Sequence, residues 1–199
     1  MLSVGLTGGI ASGKTMVSNL FAERSVPIVD TDVISRSLLD PGEKAYSQVI
    51  SHFGDSIIGE NNRIDRKRLR QLIFTQPEEK SWIETMLHPL IYQRCHQALQ
   101  QHTYAAYVML VVPLLFESNF QTLVDRICVV SCPAEMQLQR LINRDKIDAD
   151  LASKMIAQQL SNQQRVARAH DVIDNQDDEV DLDSQVDALH QKYLSLSNG

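Results

Sequence analysis

The residues best suited to chemistry lie near the start of this 199-residue chain. Residues 8–15 (GGIASGKT) match the pattern G-x-x-x-x-G-K-[ST] at every fixed position. In this pattern the backbone N–H groups of a glycine-rich loop surround a phosphate group, and a cation and a hydroxyl follow in order. We therefore predict that Lys14 reaches the outer phosphates of a bound triphosphate and that the Thr15 hydroxyl binds Mg²⁺.

The rest of the loop is predicted to hold the same phosphates through its backbone. An apolar alternation over residues 2–6 predicts a strand before the loop, and the spacing of Val17, Leu20 and Phe21 predicts a helix after it. The partial positive charge at the start of that helix favours an anion. Met16 replaces a common Ser or Thr, so it offers a backbone N–H but no hydroxyl. The other predicted nucleotide-binding residues of the loop are Gly8, Gly9, Ala11, Ser12 and Gly13.

Two carboxylates follow the second predicted strand, which covers residues 26–30. Asp30 and Asp32 would lie at the carboxyl edge of a parallel sheet, where ligands bind. One carboxylate could accept the proton of an attacking hydroxyl, and either could hold Mg²⁺ through water. An Asx turn or a helix N-cap explains the same residues equally well.

A group of arginines lies in the last third of the chain. Arg140 and Arg144 are four residues apart and share one face of a predicted helix over residues 133–144. Arg165 and Arg168 belong to the next helical stretch, residues 148–170, after the polar turn NRDKIDAD. The four residues are typical of a mobile lid that brings cations over phosphates. Ordinary surface arginines are the alternative for any one of them.

The predicted elements alternate between strands and helices. Further strands are expected over residues 107–112, 126–131 and 171–173, and a last helix over 181–196. We predict an α/β fold: a P-loop NTPase core whose mostly parallel five-stranded sheet is flanked by helices. Residues 33–103 show few strand patterns and are interpreted as a helical insertion. An acidic cluster over residues 174–183 is interpreted as a solvated loop.

Composition excludes several classes. The net charge of −6 argues against nonspecific binding to nucleic acid or anionic membranes. The three cysteines, Cys95, Cys128 and Cys132, contain no C-x-x-C pair, which argues against a disulfide framework or a zinc site. We expect no signal peptide and no membrane span, and a cytoplasmic location.

Binding a triphosphate leaves several functions open. The chain has no Asn-Lys-x-Asp sequence of the kind that reads guanine. A small chain with a helical insertion and a lid favours a kinase of small molecules. The alternatives are a kinase for a nucleoside, a nucleoside monophosphate or shikimate, a non-catalytic ATP-sensing module, and an ATPase linked to nucleic acid.

The motifs together resemble one family. The order LTGGIASGKT, DTD, LHPLI, VVPLLFE, NRD and DVIDN is similar to that of the dephospho-CoA kinases, from Leu6 to about Asn175. The resemblance implies an enzyme, a phosphotransferase with an alcohol group as acceptor. It would use ATP and Mg²⁺ to phosphorylate the ribose 3′-hydroxyl of dephospho-CoA, giving coenzyme A and ADP in the final step of coenzyme A biosynthesis.

The resemblance also implies a three-part layout. Residues 1–32, 104–136 and 168–199 would form the nucleotide-binding core. Residues 33–103 would form the domain that binds the CoA moiety, and residues 137–167 the lid. ATP and dephospho-CoA are the expected partners, without nucleic acid or membrane. The oligomeric state stays open, and we favour a monomer.

Site residues follow by position from the same resemblance. Asp32 is implied as the general base on the 3′-hydroxyl, with Lys14 and Arg140 completing the catalytic set. Arg140 would lie over ATP and Asn175 near the adenine. The implied acceptor-binding residues, besides Asp32, are His88 and Pro89 in the insertion and Leu114, Leu115, Phe116 and Glu117 after the central strand.

One position departs from the family pattern. Many members carry an Asp two residues before the proline of the PLLFE element, where this chain has Val111. The strand therefore lacks a carboxylate for the metal. Mg²⁺ is then expected on Thr15, on ATP oxygens, on water and on Asp32.

Overall fold

The computed structural model describes residues 1–176 and 181–197, apart from the side chain of Phe74. The chain divides into two compact units, Met1–Asp30 with Ala98–Gly199, and Thr31–Gln97. Residues 177–180, in the middle of the predicted acidic cluster, lie outside the described residues. The predicted insertion, residues 33–103, overlaps most of the second unit, and the predicted lid segment belongs to the first.

The first unit is built on one parallel sheet, as predicted. Its strands are β1 (Leu2–Gly8), β2 (Ile28–Asp30), β3 (Tyr107–Val111), β4 (Arg126–Ser131) and β5 (Asp171–Asp174). Their order across the sheet is β2-β3-β1-β4-β5, and all four pairings are parallel. Every residue of β3 is buried, as expected for a central strand covered on both faces. The carboxyl ends of the five strands share one edge, where the predicted loop also lies.

Five α-helices of this unit lie within the described ranges. They are α1 (Lys14–Glu23), α6 (Ala134–Asp145), α7 (Ala149–Ala157), α8 (Asn162–Val166) and α9 (Leu182–Ser197). Helices α1 and α9 cover one face of the sheet, where Phe21, Tyr107 and Tyr193 pack together in a fully or nearly fully buried aromatic cluster. This core fixes the start of α1, and therefore the loop that precedes it, against the sheet.

Two elements differ from the prediction. The helical stretch expected over residues 148–170 is broken into α7 and α8. Ser161 starts α8 through a capping box with Gln164, in which each side chain bonds the other residue's backbone N–H. Strand β2 begins at Ile28 instead of residue 26, because the N–H of Val26 bonds the Phe21 carbonyl in the turn that ends α1.

The second unit is helical, as predicted. Its helices are α2 (Thr31–Ser37), α3 (Lys44–Phe53), α4 (Arg66–Thr75) and α5 (Pro77–Gln101), the last of which extends into the first unit. Their apolar faces meet in a core of their own, which includes Leu38, Val49, Ile57 and Ile83. No helix among the described residues is both long and apolar enough to cross a bilayer.

An ion cluster ties α9 to the sheet. The Asp171 carboxylate, 6% exposed, accepts hydrogen bonds from Arg126 at 3.1 Å, Lys192 at 2.5 Å and Tyr193 at 3.2 Å. Burial alone would raise the pKa of Asp171, but bonds to the two cations hold it below its ordinary value. Nearer the start of α9, Asp187 pairs with Arg24 of the α1 C-cap at 2.6 Å.

Candidate active site

The glycine-rich loop joins β1 to α1 through two residues in the left-handed region. Ala11 has φ 57° and Gly13 has φ 96°, and the Ser12 N–H donates to the Gly9 carbonyl at 3.1 Å. These turns bring the backbone of the loop in front of the start of α1. The first N–H groups of a helix have no acceptor within the helix, so they are available to a bound anion.

Lys14 places its charge inside this loop. Its Nζ donates to the carbonyls of Gly8 and Gly9, each at 2.9 Å. The cation therefore lies at the loop backbone, at the N-terminal end of α1. Thr15 and Met16 follow in the first helical turn with exposed side chains. A hydroxyl at this position is open to a metal-bound phosphate.

The glycines of the loop are required by what packs on them. A Cβ at Gly13 would overlap the side-chain amide of Asn175, and its positive φ disfavours any other residue. A Cβ at Gly9 would overlap the amide of Gln137. Side chains from distant parts of the chain therefore approach the loop backbone directly.

One buried polar atom in the loop fits a ligand oxygen. The Ser12 hydroxyl is fully buried and has no hydrogen-bond partner among the described residues. Leaving such a group without a partner costs about 1–3 kcal/mol. Together with Lys14 and the start of α1, it makes the loop suited to bind a polyphosphate.

Asn175 connects two other predicted site residues. It follows β5 and is 3% exposed; its Nδ2 donates to the Ser12 carbonyl at 2.7 Å, and its Oδ1 accepts from Arg140 at 3.4 Å. Arg140 also reaches the Cys132 sulfur at 3.7 Å. Burial raises the pKa of the Cys132 thiol despite the nearby guanidinium, which keeps the sulfur neutral. Arg140 on α6 is thus joined to the loop through Asn175.

Three further residues join the loop that sequence reasoning did not assign to it. Gln137 Nε2 donates to the Ile10 carbonyl at 2.9 Å, and Gln159 Oε1 accepts the Ile10 N–H at 2.8 Å. Arg165, 3% exposed, donates to the same Gln159 oxygen at 3.1 Å. Gln137 precedes Arg140 by three residues on one helix, a spacing from which it could have been found.

The other two predicted lid arginines have partners elsewhere in this structure. Arg144 pairs with its neighbour Asp145, with a nitrogen–oxygen distance of 2.7 Å. The Arg168 guanidinium lies 5.7 Å from the centre of the Phe116 ring, a cation–π contact. The side chains that bond the loop or one another beside it form what we call the loop network: Gln137, Arg140, Gln159, Arg165 and Asn175. Of the predicted lid arginines, Arg140 and Arg165 belong to it.

In the segment after β3, residues 114–117, some side chains lie at the surface and others in the core. Leu114 is 44% exposed, whereas Leu115 is fully buried and packs close to Gly5 of β1. Leu115 therefore has a packing role in this structure. Glu117 Oε1 accepts the Leu160 N–H at 3.4 Å, which joins this segment to the chain after α7.

The two acidic residues of the DTD motif fall in different units. Asp30 ends β2 and is in register with Val111 of β3, which is in register with Leu6 of β1. A carboxylate thus lies on the strand next to the position where the family pattern has one. Asp32 is exposed in the first turn of α2, in the second unit.

His88 and Pro89 lie within α5 of the second unit, where His88 is half-buried and Pro89 exposed. A proline inside a helix removes the hydrogen bond to the carbonyl four residues earlier, here that of Thr85. Among the described residues, no group of three or more His, Cys, Asp or Glu side chains could hold a metal ion. Mg²⁺ is commonly bound by one or two protein oxygens together with water and substrate phosphates.

The fold and the site define the class of P-loop kinases. Its features here are the five-stranded parallel sheet, the phosphate loop with its lysine, and an arginine joined to that loop from a neighbouring helix. Within that class, a model of the dephospho-CoA kinases matches residues 2–181. The chain belongs to the dephospho-CoA kinase family.

Relatives match over almost the whole length. The dephospho-CoA kinase of Vibrio parahaemolyticus is 44% identical over 196 residues, covering 98% of this chain and 96% of the relative. That of Shewanella oneidensis is 43% identical over 194 residues, covering 98% and 94%.

Solved structures show the same fold. The dephospho-CoA kinase from Campylobacter jejuni superposes with a TM-score of 0.74 at 23% identity, covering 97% of each chain. A shikimate kinase from Bacteroides thetaiotaomicron reaches a TM-score of 0.51 at 13% identity, covering 96% of this chain and 97% of the other. The overall fold is therefore shared with a shikimate kinase.

Proposed function

We propose that this chain transfers the γ-phosphoryl group of ATP to the ribose 3′-hydroxyl of dephospho-CoA, giving coenzyme A and ADP. The observation that carries the proposal is the loop network, in which Asn175 joins Arg140 to the Ser12 backbone beside Lys14. This network would place two cations and a row of N–H donors around one polyphosphate. Family membership supports the choice of acceptor.

In the proposed mechanism the loop binds and orients the phosphates. Lys14 exchanges its bonds with the Gly8 and Gly9 carbonyls for oxygens of the outer phosphates, and the Ser12 hydroxyl gains the partner that it lacks among the described residues. Arg140 stabilises the charge that spreads over the phosphoryl group during transfer. Asn175 keeps that guanidinium oriented and lies near the adenine.

The acceptor side of the mechanism depends on Asp32. Its carboxylate orients the 3′-hydroxyl and accepts the proton as the new O–P bond forms and the bond to ADP breaks. His88, Pro89, Leu114, Phe116 and Glu117 are proposed to contact dephospho-CoA. Closure of residues 137–167 excludes water, whose attack would hydrolyse ATP instead.

Mg²⁺ is proposed to bind the Thr15 hydroxyl and Asp32, together with phosphate oxygens and water. The ion supplies neutralisation of phosphate charge during transfer. We further propose that the protein acts in the cytoplasm as a monomer. We also propose that it has no nucleic acid or membrane partner, because its net charge of −6 repels such polyanionic surfaces. Light scattering after size-exclusion chromatography measures the oligomeric state.

Product identification by mass spectrometry tests the proposed function. Purified protein is incubated with ATP, Mg²⁺ and dephospho-CoA, beside matched reactions with adenosine, AMP, CMP and shikimate. We expect one product heavier by a phosphoryl group, from dephospho-CoA alone, that matches coenzyme A. Bound ATP with no phosphorylated product from any acceptor would favour an ATP-sensing module instead.

A matched pair of lysine variants assigns that product to the loop. Lys14→Ala is expected to lose nearly all turnover, because the cation that stabilises the transferred phosphoryl group is gone. Lys67→Ala removes an exposed lysine of α4 and should keep the wild-type rate. Equal rates for the two variants would contradict the role of the loop.

A further inference from the structure

Both polar groups of the Ile10 backbone are held by side chains. Its N–H donates to Gln159 Oε1 at 2.8 Å, and its carbonyl accepts from Gln137 Nε2 at 2.9 Å. The next residue, Ala11, has φ 57°, a conformation that costs a non-glycine residue about 1–3 kcal/mol. Such a backbone persists only where its surroundings fix it, and the two glutamines are adjacent to it in the structure.

The two glutamines both belong to the predicted lid segment, residues 137–167, and lie 22 residues apart in it. Gln137 is in the first turns of α6, and Gln159 follows the end of α7. The residues between them form the helical pair that carries Arg140 and Arg144. The start of the lid segment and the residue that follows α7 are therefore both attached to a single residue of the phosphate loop.

Gln159 has no acceptor capacity left for another partner. A carboxamide oxygen has two lone pairs, and Gln159 Oε1 accepts both the Ile10 N–H and Arg165. Arg165 is 3% exposed and would contact a Cβ placed on Gly9. Burial lowers the pKa of Arg165, and the opposite charge of Glu117 acts against that shift. The guanidinium thus directs the Gln159 oxygen from a fixed, buried position.

We propose that Gln137 and Gln159 are positioning residues for phosphoryl transfer, and that Arg165 orients Gln159. Together they hold the Ile10 backbone, so that the loop has its phosphate-binding shape before nucleotide binds. This inference rests on the proposed function and names the residues that prepare the same site. We name this set the Ile10 clamp; it consists of Gln137, Gln159 and Arg165 around Ile10. Because the clamp holds three residues of the predicted lid at the loop, the closure proposed above would be confined to the residues between its two glutamines.

Gln159→Leu is the main test, because leucine keeps the size of the side chain and removes the acceptor. Two readouts apply: ATP affinity by calorimetry, and hydrogen exchange of the Ile10 amide by NMR without nucleotide. We expect ATP to bind about tenfold more weakly, because only the fraction of loops with the correct shape binds. Ile10 exchange should quicken about tenfold, because its N–H loses its acceptor.

Three matched variants separate positioning from general stability. Gln159→Glu keeps an acceptor oxygen and adds a charge that pairs with Arg165, so it should restore both readouts to within about twofold of wild type. Gln158→Leu makes the same change at the exposed neighbour and should alter neither. Gln137→Leu tests the other glutamine of the clamp, and Gln139→Leu at an exposed position is its control. This pair replaces the first if Gln159→Leu does not fold.

Steady-state kinetics gives a third readout. In Gln159→Leu the KM for ATP should rise about tenfold while the KM for dephospho-CoA stays unchanged, a split that general loosening of the fold would not produce. Wild-type ATP affinity and wild-type Ile10 exchange in this variant would overturn the clamp. A wild-type protein that phosphorylates no acceptor would overturn the proposed function instead, because affinity and exchange are measured without one.

Discussion

The side-chain amide of Asn175 donates a hydrogen bond to the backbone carbonyl of Ser12 at 2.7 Å, although 163 residues separate them. The bond joins the end of β5 to the loop between β1 and α1. The other atom of the same amide accepts from Arg140 on α6. One buried carboxamide thus fixes the distance between the phosphate loop and the arginine proposed to stabilise the transferred group.

Asn175→Asp tests the donor side of this amide. The carboxylate still accepts from Arg140 but has no N–H for the Ser12 carbonyl, which then faces a negative charge. Loss of a buried hydrogen-bond partner costs about 1–3 kcal/mol, so ATP affinity should fall about tenfold or more. Calorimetric titration with ATP measures it. Asn143→Asp makes the same change at an exposed position of α6 and should bind ATP as the wild type does.

Gly13→Ala and Gly42→Ala form a matched pair. The two glycines have nearly equal φ values, 96° and 97°, so both substitutions carry the same backbone strain of about 1–3 kcal/mol. A Cβ at Gly42 meets nothing within 4 Å, whereas one at Gly13 overlaps Asn175. We expect Gly13→Ala to be the less stable variant in urea unfolding. It alone should lose ATP-dependent stabilisation, and equal effects would contradict the steric argument.

Most of the fold could be predicted because its strands leave strong local patterns. Strands β3 and β4 are uninterrupted apolar runs, and β4 has the bounds that the sequence predicts. The break between α7 and α8 was missed although Ser161 and Gln164 have the spacing of a capping box. The residues on both sides of that pattern also favour a helix, so the sequence predicts one continuous helix there.

The site could be predicted where a motif encodes it and not where the fold assembles it. The loop and Asn175 belong to motifs, and Arg140 lies one helical turn before the NRD motif. The structure brings the three together. Gln159 lies 149 residues from Ile10, and a glutamine after an amphipathic helix is indistinguishable in sequence from a surface residue. The burial of Arg165 is likewise a consequence of packing that no local spacing encodes.

Asp171 makes the stability of the first unit dependent on pH. Its pKa lies below the ordinary value of 3.8, so its contribution is complete above that value and is lost as the pH falls through the lower folded-state pKa. Asp171→Asn should cost about 1–3 kcal/mol at pH 7, because the partly exposed Arg126 and Lys192 lose a buried hydrogen-bond acceptor. Its free energy of unfolding should also fall less than that of the wild type between pH 5 and pH 2. Urea unfolding at a series of pH values measures both, and parallel curves for the two proteins would contradict the argument.

Asp32→Asn tests the proposed general base. The amide keeps the size of the side chain and cannot accept the proton of the 3′-hydroxyl, so turnover should fall about 10²- to 10⁴-fold. ATP affinity should change little, because the loop that binds the phosphates is untouched. Asp55→Asn, an exposed carboxylate of the same unit, is the control and should keep the wild-type rate. Near-normal turnover in Asp32→Asn would move the search for the base to Asp30, which ends β2 beside Val111. A raised Mg²⁺ requirement with turnover restored at high Mg²⁺ would instead assign Asp32 to the metal alone.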